Sequence, residues 1–457
     1  MANSNGWGDG AANNTIGWGQ GKVNNTIGWG SVYASSNAGL TNIIGATPVP
    51  FTTEWTTTAP SESIELPYTG TGTYSGTIYW GDGSTSVNSV ENRFHTYATA
   101  GTYTVIIRGD CIGWDLATAG GSTYLTSVVN WGQLQLGTDN FGYNFAFCPN
   151  LDLSSVQGTL DLTGVTVLDG LFFECFALTT INNINSWDTS AITSMNSMFG
   201  NCTAFNSALS FNTSSVTSMN GMFNGCSVFN SALTFDTSAV TDMSSMFSGC
   251  TSFNQPLTFY SAAATNMSSM FEGCTAFNSV LLLDTSLVTN MSSMFLGCSV
   301  FNEVFYGFAV GLVVDMSSMF SGCTAFNQPI GDWNTSNVED MSRMFRDATA
   351  FNQGISSWNT GAVTNMGRMF ENAPAFDQNL GSWNVANVQE FDGFMSTKTP
   401  ATFSTNNLNA IYNDWSAQAV QPSLTIDFGT AKYTVDATAG RLVLTGTALW
   451  TITDGGL

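Results

Sequence analysis

Large apolar side chains recur along the centre of the chain at a nearly constant spacing, and mainly Ser, Thr, Asn and Gly separate them. One phenylalanine series advances in steps of 24 and then 25 residues: Phe199, Phe223, Phe247, Phe271, Phe295, Phe320, Phe345 and Phe370. A unit this short cannot bury its own apolar face, but stacked copies bury one continuous core. The pattern therefore predicts a solenoid of about ten coils of about 24 to 27 residues each.

Further apolar columns keep the same spacing. One column consists of Phe205, Phe229, Phe253, Phe277, Phe301, Phe326, Phe351 and Phe376. Another consists of Ile192, Val216, Val240, Val288, Val313, Val338, Val363 and Val388. Within a unit, Met-Ser-Ser-Met-Phe has the period of one helical turn, whereas Val-Thr-Asn-Met and Asn-Gln-Pro-Leu indicate short extended pieces. The predicted fold is mainly β with short helices, with one short strand and one short helical or 3₁₀ turn per coil.

The amino-acid sequence of the repeat unit resembles that of a known family. The stretch from Met319 to Met341 reads MFSGCTAFNQPIGDWNTSNVEDM and resembles the leucine-rich repeat of BspA-like and mycoplasma-type surface proteins. The resemblance extends over residues 145–396. It implies a leucine-rich-repeat-like solenoid and a role in adhesion or protein recognition at a cell or virion surface, and it implies no chemistry.

Two segments precede the solenoid, which we place at 113–396. Residues 1–48 repeat an Asn-Thr-Ile-Gly-Trp-Gly cassette and are predicted to form an anchoring arm, with Trp7, Trp18 and Trp29 as candidate anchor residues. Residues 49–112 alternate as strands do, and Trp80-Gly-Asp-Gly followed by His95-Thr-Tyr resembles the immunoglobulin-like sandwich of polycystic-kidney-disease (PKD) domains. The resemblance implies a spacer, in which Asp82 forms a turn and does not bind calcium.

Residues 397–457 leave the repeat and are predicted to cover its last coil as a small α+β cap. A helix is expected after Ser404, because Leu408, Ile411, Tyr412 and Trp415 fall at helical spacing. Strands are expected at 424–428, 432–435, 441–444 and 450–453.

The positions of the cysteine, methionine and histidine residues indicate structural roles and not catalysis or metal binding. Eight of the nine cysteines share one repeat position, which Ala348 and Ala373 fill in later coils, and a metal ligand or an obligate disulfide partner would not alternate with alanine. No Cys-x-x-Cys occurs, and most methionines fall in the Met-x-x-Met columns. His95 is the single histidine, which rules out His-rich metal sites and leaves one candidate for a catalytic imidazole, for which a structural hydrogen-bonding role is favoured. We therefore expect no enzyme activity, no metal and no cofactor.

The net charge of the chain excludes some classes of binding partner. The formal net charge is −23, from 32 acidic and 9 basic residues, so nucleic acid and anionic membranes would be repelled. No apolar stretch is long enough to insert into a membrane. The amino-terminal residues do not resemble a secretion signal. A phage protein, which is made in the cytoplasm of its host, would not need one.

These features favour a virion surface protein, namely a head or tail fibre or a decoration protein of a tailed phage. Its arm would bind other virion proteins, and its solenoid would bind a glycan or protein of the host surface. A fibre would be expected to form a homotrimer, although no heptad pattern supports this. The alternative is a bacterial cell-surface adhesin. A polysaccharide-degrading spike is a minor alternative, for which Asp332, Glu339 and Asp340 form the only local acidic cluster found.

Three arginines form the candidate partner-binding site. Arg343 and Arg368 stand where other coils have serine, as at Ser245 or Ser318, and Arg346 lies beside that column. The group makes a small basic spot on an acidic protein. The alternative is that these arginines only neutralise Glu339, Asp340 and Glu371.

Overall fold

The computed structural model describes residues 48–116, 122–138 and 142–457. Trp7, Trp18 and Trp29, the candidate anchor residues, lie outside this part of the chain. The described residues are mainly β with few short helices, which confirms the predicted fold class at that level. A single hydrophobic cluster extends from Phe51 to Trp450, so the described segments share one core.

Ten strands precede the repeats in the part of the chain that the structure describes. They are β1 (Phe51–Thr57), β2 (Glu62–Glu65), β3 (Tyr68–Tyr74), β4 (Thr77–Tyr79), β5 (Thr85–Val87), β6 (Phe94–Tyr97), β7 (Gly101–Arg108), β8 (Cys111–Trp114), β9 (Leu125–Asn130) and β10 (Leu134–Gln135), with a 3₁₀ turn at Val90–Asn92. One sheet has the order β5-β4-β7-β1-β9, a second has the order β10-β8-β3, and β2 pairs with β6. All of these pairings are antiparallel except β10 with β8.

Strand β9 belongs to both the first sheet and the repeats. One edge pairs with β1, and on the other side Ser127 and Asn130 form parallel bridges to Asp152 and Gln157. Trp131, directly after β9, packs its ring 5.4 Å from Phe145 in the first repeat-like segment. The sheet therefore covers the first edge of the repeats, and its apolar side continues directly into their core.

Residues 142–396, called the repeat stack below, are joined from one repeat to the next by single parallel bridges. One chain of bridges links Ser194, Ser218, Asp242, Asn266, Asn290, Asp315, Asp340, Asn365 and Glu390. Around each bridge the backbone donates to the next repeat, as from Phe223 N to Met246 O at 2.9 Å, and also to the previous one, as from Thr241 N to Thr217 O at 2.8 Å. The three predicted apolar columns are fully buried between these ladders.

The Met-x-x-Met segments form tight turns where the sequence predicted a helical or 3₁₀ turn. Met246 N donates to Met243 O at 3.3 Å, and Ser248 N donates to Ser245 O at 3.0 Å. Ser245 has a φ of 55°, a left-handed conformation that ends any helix. A tight turn places residues three apart on the same side, as a helix does, so the spacing alone could not separate the two. The stack has one assigned helical turn, a 3₁₀ turn at Ile184–Ser186, within its described residues.

Polar columns also hold neighbouring repeats together. The Asn that follows each second phenylalanine accepts through its side chain from the same Asn backbone one repeat later, as from Asn254 N to Asn230 Oδ1 at 2.8 Å. Buried threonines donate to the next repeat, as from Thr213 Oγ1 to Asp236 O at 2.8 Å. Much of the Asn and Thr content is therefore used to satisfy the backbone between repeats, since buried polar groups need partners.

The last segment contains α1 (Thr405–Trp415), β11 (Thr425–Asp427), α2 (Thr438–Leu442) and β12 (Thr451–Thr453), with a 3₁₀ turn at Val435–Ala437 and a π-helical turn at Val443–Thr447. The predicted helix and two of the strands are confirmed, and β11 pairs with β12 in parallel. The strands predicted at 432–435 and 441–444 are wrong. At 441–444 the chain is helical and only Leu444 is buried. The prediction failed because so short an apolar run does not distinguish a strand from a helix.

This last segment repeats the contacts of one more repeat. Ile426 bridges Phe391 in parallel, and the Trp415 indole donates to Leu380 O at 3.0 Å, as the Trp383 indole does to Ile355 O at 3.0 Å. The exposed backbone edge and the open end of the core are thereby covered by residues of a different fold.

Candidate functional site: an arginine recess on the last repeats

The structure places Arg343 and Arg368 at the same position of consecutive repeats. Each is the third residue of a Met-x-x-Met turn and has left-handed backbone, with φ values of 56° and 57°. Arg343 N donates to Gly367 O at 2.9 Å and Arg368 N donates to Asp392 O at 2.8 Å, so the ladder fixes the backbone of both. Both side chains are exposed. Left-handed backbone is unfavourable for a residue with a Cβ atom, by about 1 kcal/mol, so these two arginines are held in a strained conformation.

A recess opens beside the two arginines. It has a volume of about 310 Å³ and is lined by Ser342, Arg343, Asn365, Gly367, Arg368, Glu390 and Asp392. These residues are called the arginine recess below. Its lining combines cationic donors with hydroxyl, amide and carboxylate groups, so it offers hydrogen bonds of both polarities.

Gly367 keeps the arginine recess open. Other repeats carry a side chain at this position, as at Ser317 and Ser342. A Cβ atom on Gly367 would lie 3.3 Å from both Asn365 Oδ1 and Glu390 Cγ, closer than ordinary packing distance. The glycine therefore leaves space between the turn that carries Arg368 and the Glu390–Asp392 segment of the next repeat.

The three arginines differ in their carboxylate neighbours. Arg346 Nε lies 3.0 Å from Glu371 Oε2 and 3.5 Å from Asp347 Oδ2, an ion-pair distance without hydrogen-bond geometry, and it does not line the recess. Arg368 Nη2 lies 3.7 Å from Asp392 Oδ2. No described carboxylate lies within ion-pair distance of Arg343. Neutralisation of charge by a neighbouring carboxylate is therefore the better explanation for Arg346 and the weakest explanation for Arg343.

The acidic cluster of the enzyme alternative is partly occupied by structural bonds. Asp340 Oδ1 accepts from Ser342 N at 2.7 Å, and Asp340 Oδ2 accepts from the Asn365 amide at 3.1 Å. Asp332 and Glu339 are exposed; Glu339 directly precedes Asp340 in the chain, whereas Asp332 lies on an earlier segment of the repeat. Asp340 thus shapes the turn that carries Arg343.

The cysteine column forms a ladder of buried thiols. Seven thiols donate to the carbonyl oxygen of a phenylalanine in the previous repeat at 2.9 to 3.1 Å: Cys175, Cys202, Cys226, Cys250, Cys274, Cys298 and Cys323. Burial raises the pKa of Cys226 and Cys298 well above the ordinary thiol value, which keeps them protonated as donors. All nine cysteines are free and buried.

Lys398 continues the cysteine column in the segment that closes the stack. It is 1% exposed, and its ammonium donates to Ala373 O and, at 2.5 Å, to Phe376 O. Burial lowers its pKa to about 8, against the attraction of Asp377. Lys398 was not predicted as a member of this column, although its position 25 residues after Ala373 was a usable signal.

His95 and Asp82 form a structural pair among the strands that precede the repeats. His95 Nε2 lies 2.8 Å from Asp82 Oδ2, and the His95 ring stacks 4.6 Å from the Trp80 ring. Ser84 N also donates to Asp82 Oδ1 at 2.9 Å, which confirms the predicted turn-forming role. Burial acts to raise the pKa of Asp82, but the hydrogen bonds from Ser84 and His95 outweigh it and lower the pKa to about 2.

Within the described ranges, no group of three or more His, Cys, Asp or Glu side chains is placed to hold a metal ion. Among these same residues, no helix has the length and apolar character needed to cross a bilayer.

Comparison with known proteins gives one family and one structural neighbour. The family model described as "Mycoplasma protein of unknown function, DUF285" matches residues 165–282, 258–345 and 289–415, more than half of the chain in total. A solved structure of a leucine-rich cell surface protein from Faecalibacterium prausnitzii A2-165 is similar with 15% identity and a TM-score of 0.32, over 60% of this chain and 83% of that one. No curated protein matches the chain.

Proposed function

Because the chain belongs to the DUF285 family of Mycoplasma proteins of unknown function, we propose that it is a bacterial cell-surface protein that binds a partner through the exterior of its repeat stack. The family is described from a cellular organism, which favours the bacterial alternative over the virion protein that the sequence analysis preferred. No comparison supports the virion assignment. The proposed role is binding without catalysis.

The finer architecture is part of this proposal. The bridged repeats correspond to a leucine-rich-repeat-like solenoid, the strands before them to a PKD-type sandwich, and residues 397–457 to a cap. The solenoid assignment is supported by bridges at a nearly constant spacing of 24 or 25 residues, and the sandwich by the Asp82 turn and its His95 partner. The cap is supported by Trp415 and Lys398, which take up columns of the repeats. The sandwich and the cap then protect the two ends of the core.

The observation that carries the binding function is the arginine recess. The left-handed position of the Met-x-x-Met turn, which serine or glycine fills in other repeats, carries the cations Arg343 and Arg368 in two consecutive repeats. Arg343 has no described ion-pair partner, so its guanidinium is available to a ligand. Guanidinium groups bind carboxylates through paired hydrogen bonds. The amide and carboxylate groups around them suit sugar hydroxyls, so we assign the recess to an acidic sugar residue.

Localisation is tested on the cells that produce the protein. Intact cells are labelled with an antibody against the repeat stack, and envelope fractions and purified phage particles from the same culture are analysed by mass spectrometry. Surface labelling together with recovery in the envelope is the expected result. Recovery only in phage particles would restore the virion protein.

Ligand binding is tested with 3′-sialyllactose as the acidic probe and lactose as the neutral control, by calorimetric titration. Arg343→Glu/Arg368→Glu is expected to weaken sialyllactose binding by about tenfold or more, the range for losing charged hydrogen bonds. Arg108→Glu/Lys432→Glu makes the same change of net charge at exposed sites elsewhere and should bind like the wild type. Equal losses in both double variants, or none in either, would reject the recess as the site.

A further inference from the structure

The exterior of the middle repeats carries a group of exposed apolar side chains. Five of them form what we call the apolar strip: Tyr260, Val280, Leu282, Val304 and Tyr306, with exposed fractions of 76%, 41%, 48%, 41% and 56%. They alternate along the chain with inward residues such as Leu281 and Leu283, which are almost fully buried. The strip is thus the outer face of extended segments whose inner face belongs to the core.

Backbone pairing holds the strip in register. Leu282 and Tyr306 form a parallel bridge, so their side chains are neighbours across two repeats. Leu257 N donates to Val280 O at 3.2 Å, and Leu282 N donates to Leu257 O at 3.0 Å, which ties the preceding repeat to the same ladder. The strip is therefore a fixed surface and its members cannot turn inward independently.

The same columns are small or polar in other repeats. The Leu282 column contains Ser210, Thr234 and Thr258, and the Val280 column contains Ala208, Ala232 and Pro256. Folding of the repeat therefore does not require large apolar groups at these positions. A contiguous exposed apolar surface of this kind marks an interaction site.

The surroundings of the strip are negatively charged. No lysine or arginine occurs between Arg108 and Arg343. Thr237 Oγ1 bonds Tyr260 O at 3.0 Å and Ser261 Oγ bonds Asp284 O at 2.9 Å, so Asp236, Tyr260 and Asp284 follow one another across three repeats. Hydrogen bonds from Ser238 and Ser286 lower the pKa values of Asp236 and Asp284, respectively, so both carboxyl groups are ionised at neutral pH.

We propose that the apolar strip binds a basic segment of a partner protein that carries alternating apolar and cationic side chains. Its apolar groups would cover Leu282, Val280 and Val304, and its Lys or Arg side chains would reach the carboxylates and the faces of the exposed tyrosine rings. A sugar is a poorer occupant, since three of the five side chains are branched aliphatics with no planar face for a pyranose ring. A second copy of this chain would place like charges against each other.

The apolar strip and the arginine recess share no residues. A negative result for sialyllactose binding at the recess would therefore leave peptide binding at the strip untouched. The probe is a fluorescent peptide of about twelve residues alternating Leu with Lys, and matched peptides alternate Leu with Glu and Ser with Lys. Anisotropy titrations should show binding of the Leu-Lys peptide that weakens with added salt, with at least about tenfold weaker binding of both matched peptides.

The variant Tyr260→Asn/Leu282→Thr/Tyr306→Thr restores residue types found at these columns elsewhere, and it should weaken Leu-Lys peptide binding by about tenfold or more. Its thermal midpoint should stay close to that of the wild type, since the three side chains are exposed. Leu287→Ala, at an exposed leucine outside the strip, serves as the matched control and should bind normally. Asp236→Asn/Asp284→Asn should reduce both the affinity and its salt dependence.

Three results would overturn the proposal. The first is unchanged peptide binding by the triple variant. The second is competition of a neutral oligosaccharide, maltoheptaose, for the strip, which would indicate a glycan site. The third is a dimer in sedimentation of the wild type that becomes a monomer in the triple variant, which would make a second copy the occupant.

Discussion

The middle repeats (residues 253–314) and the last repeats (residues 341–392) share an interior and differ on their exteriors. The Phe271 and Phe295 rings stack at 5.5 Å in the middle, and the Phe345 and Phe370 rings stack at 5.6 Å in the last repeats. Outside, the middle repeats expose Leu282 and Tyr306, whereas the last repeats expose arginines. A ladder that satisfies its backbone and core internally leaves the outward columns free to change, so neighbouring repeats can present different chemistry on one scaffold.

The largest expected effect tests whether the two interiors are equivalent. Phe295→Ala and Phe345→Ala should each lower the free energy of unfolding by about 3 to 5 kcal/mol, the cost of a cavity at a fully buried phenylalanine. The difference between the two variants should be below about 1 kcal/mol if both positions are packed alike. Urea denaturation followed by tryptophan fluorescence measures both, with Leu312→Ala as an exposed control.

An unequal loss would mean that the stack unfolds in sections, with one region less stable than the other. In that case, the middle and last repeats would share the geometry of their interior but not its contribution to the free energy of unfolding.

The next effect concerns the end of the cysteine column, where the middle repeats have a thiol and the closing segment has Lys398. The folded pKa of Lys398 is about 8, below its ordinary value of 10.5, so between these values the unfolded chain binds more protons than the folded one. Stability should therefore rise with pH from 8 to 10.5, by up to about 3 kcal/mol for this group. Below pH 8 both states are protonated, and this contribution to the slope disappears.

Lys398→Met should remove that part of the pH dependence, and Lys432→Met, at an exposed lysine, should leave it in place. Free energies of unfolding for the three proteins at closely spaced pH values between 7 and 11 provide the measurement. A Lys398→Met protein with the wild-type slope would show that the buried ammonium is not the titrating group.

A smaller effect is expected within the cysteine column itself. Cys298 Sγ donates to Phe271 O at 2.9 Å, and Ala348 fills the same position two repeats later with no such donor. Cys298→Ala should cost about 1 to 2 kcal/mol through the lost bond and the small cavity. The reverse change Ala348→Cys should be neutral or stabilise by up to about 1 kcal/mol, since the Phe320 carbonyl gains a donor. Thermal denaturation under reducing conditions compares the two, and a stabilising Cys298→Ala would contradict the thiol ladder.

The interior could be predicted from the sequence because each column repeats the same residue types at one spacing. The helix that begins at Thr405 was also predictable, since Leu408, Ile411 and Trp415 keep a helical period. The Met-x-x-Met turns were not, because a tight turn and a helix give the same three-residue spacing and only the left-handed φ of Ser245 separates them. In the closing segment, the helix at Thr438–Leu442 was not predictable, because so short a segment does not distinguish a strand from a helix.

The candidate site was predictable in part. The column position of Arg343 and Arg368 follows from the repeat alignment, but the recess depends on Gly367 and on turns whose backbone conformation the spacing does not specify. The apolar strip was readable in the sequence, since Leu282 and Tyr306 replace Ser and Thr of the same column. It was missed because the positions between the apolar columns were described as mainly Ser, Thr, Asn and Gly, and the exposure of these side chains in the structure separates the two faces.

The smallest effect separates the backbone strain of the left-handed turn, which both regions share, from ligand binding by the Arg343 side chain. Arg343 and Ser293 occupy the same left-handed position, with φ values of 56° and 57°, in the last and middle repeats, respectively. Replacement by glycine should relieve strain at either position, and after the added freedom of the unfolded chain the net gain should be about 0.5 kcal/mol or slightly more. Sialyllactose affinity should fall for Arg343→Gly and stay unchanged for Ser293→Gly. Calorimetric unfolding and titration of both proteins make the comparison. A destabilised Arg343→Gly protein would show that the Arg343 side chain supports the turn, and its loss of sialyllactose affinity would then reflect a damaged turn.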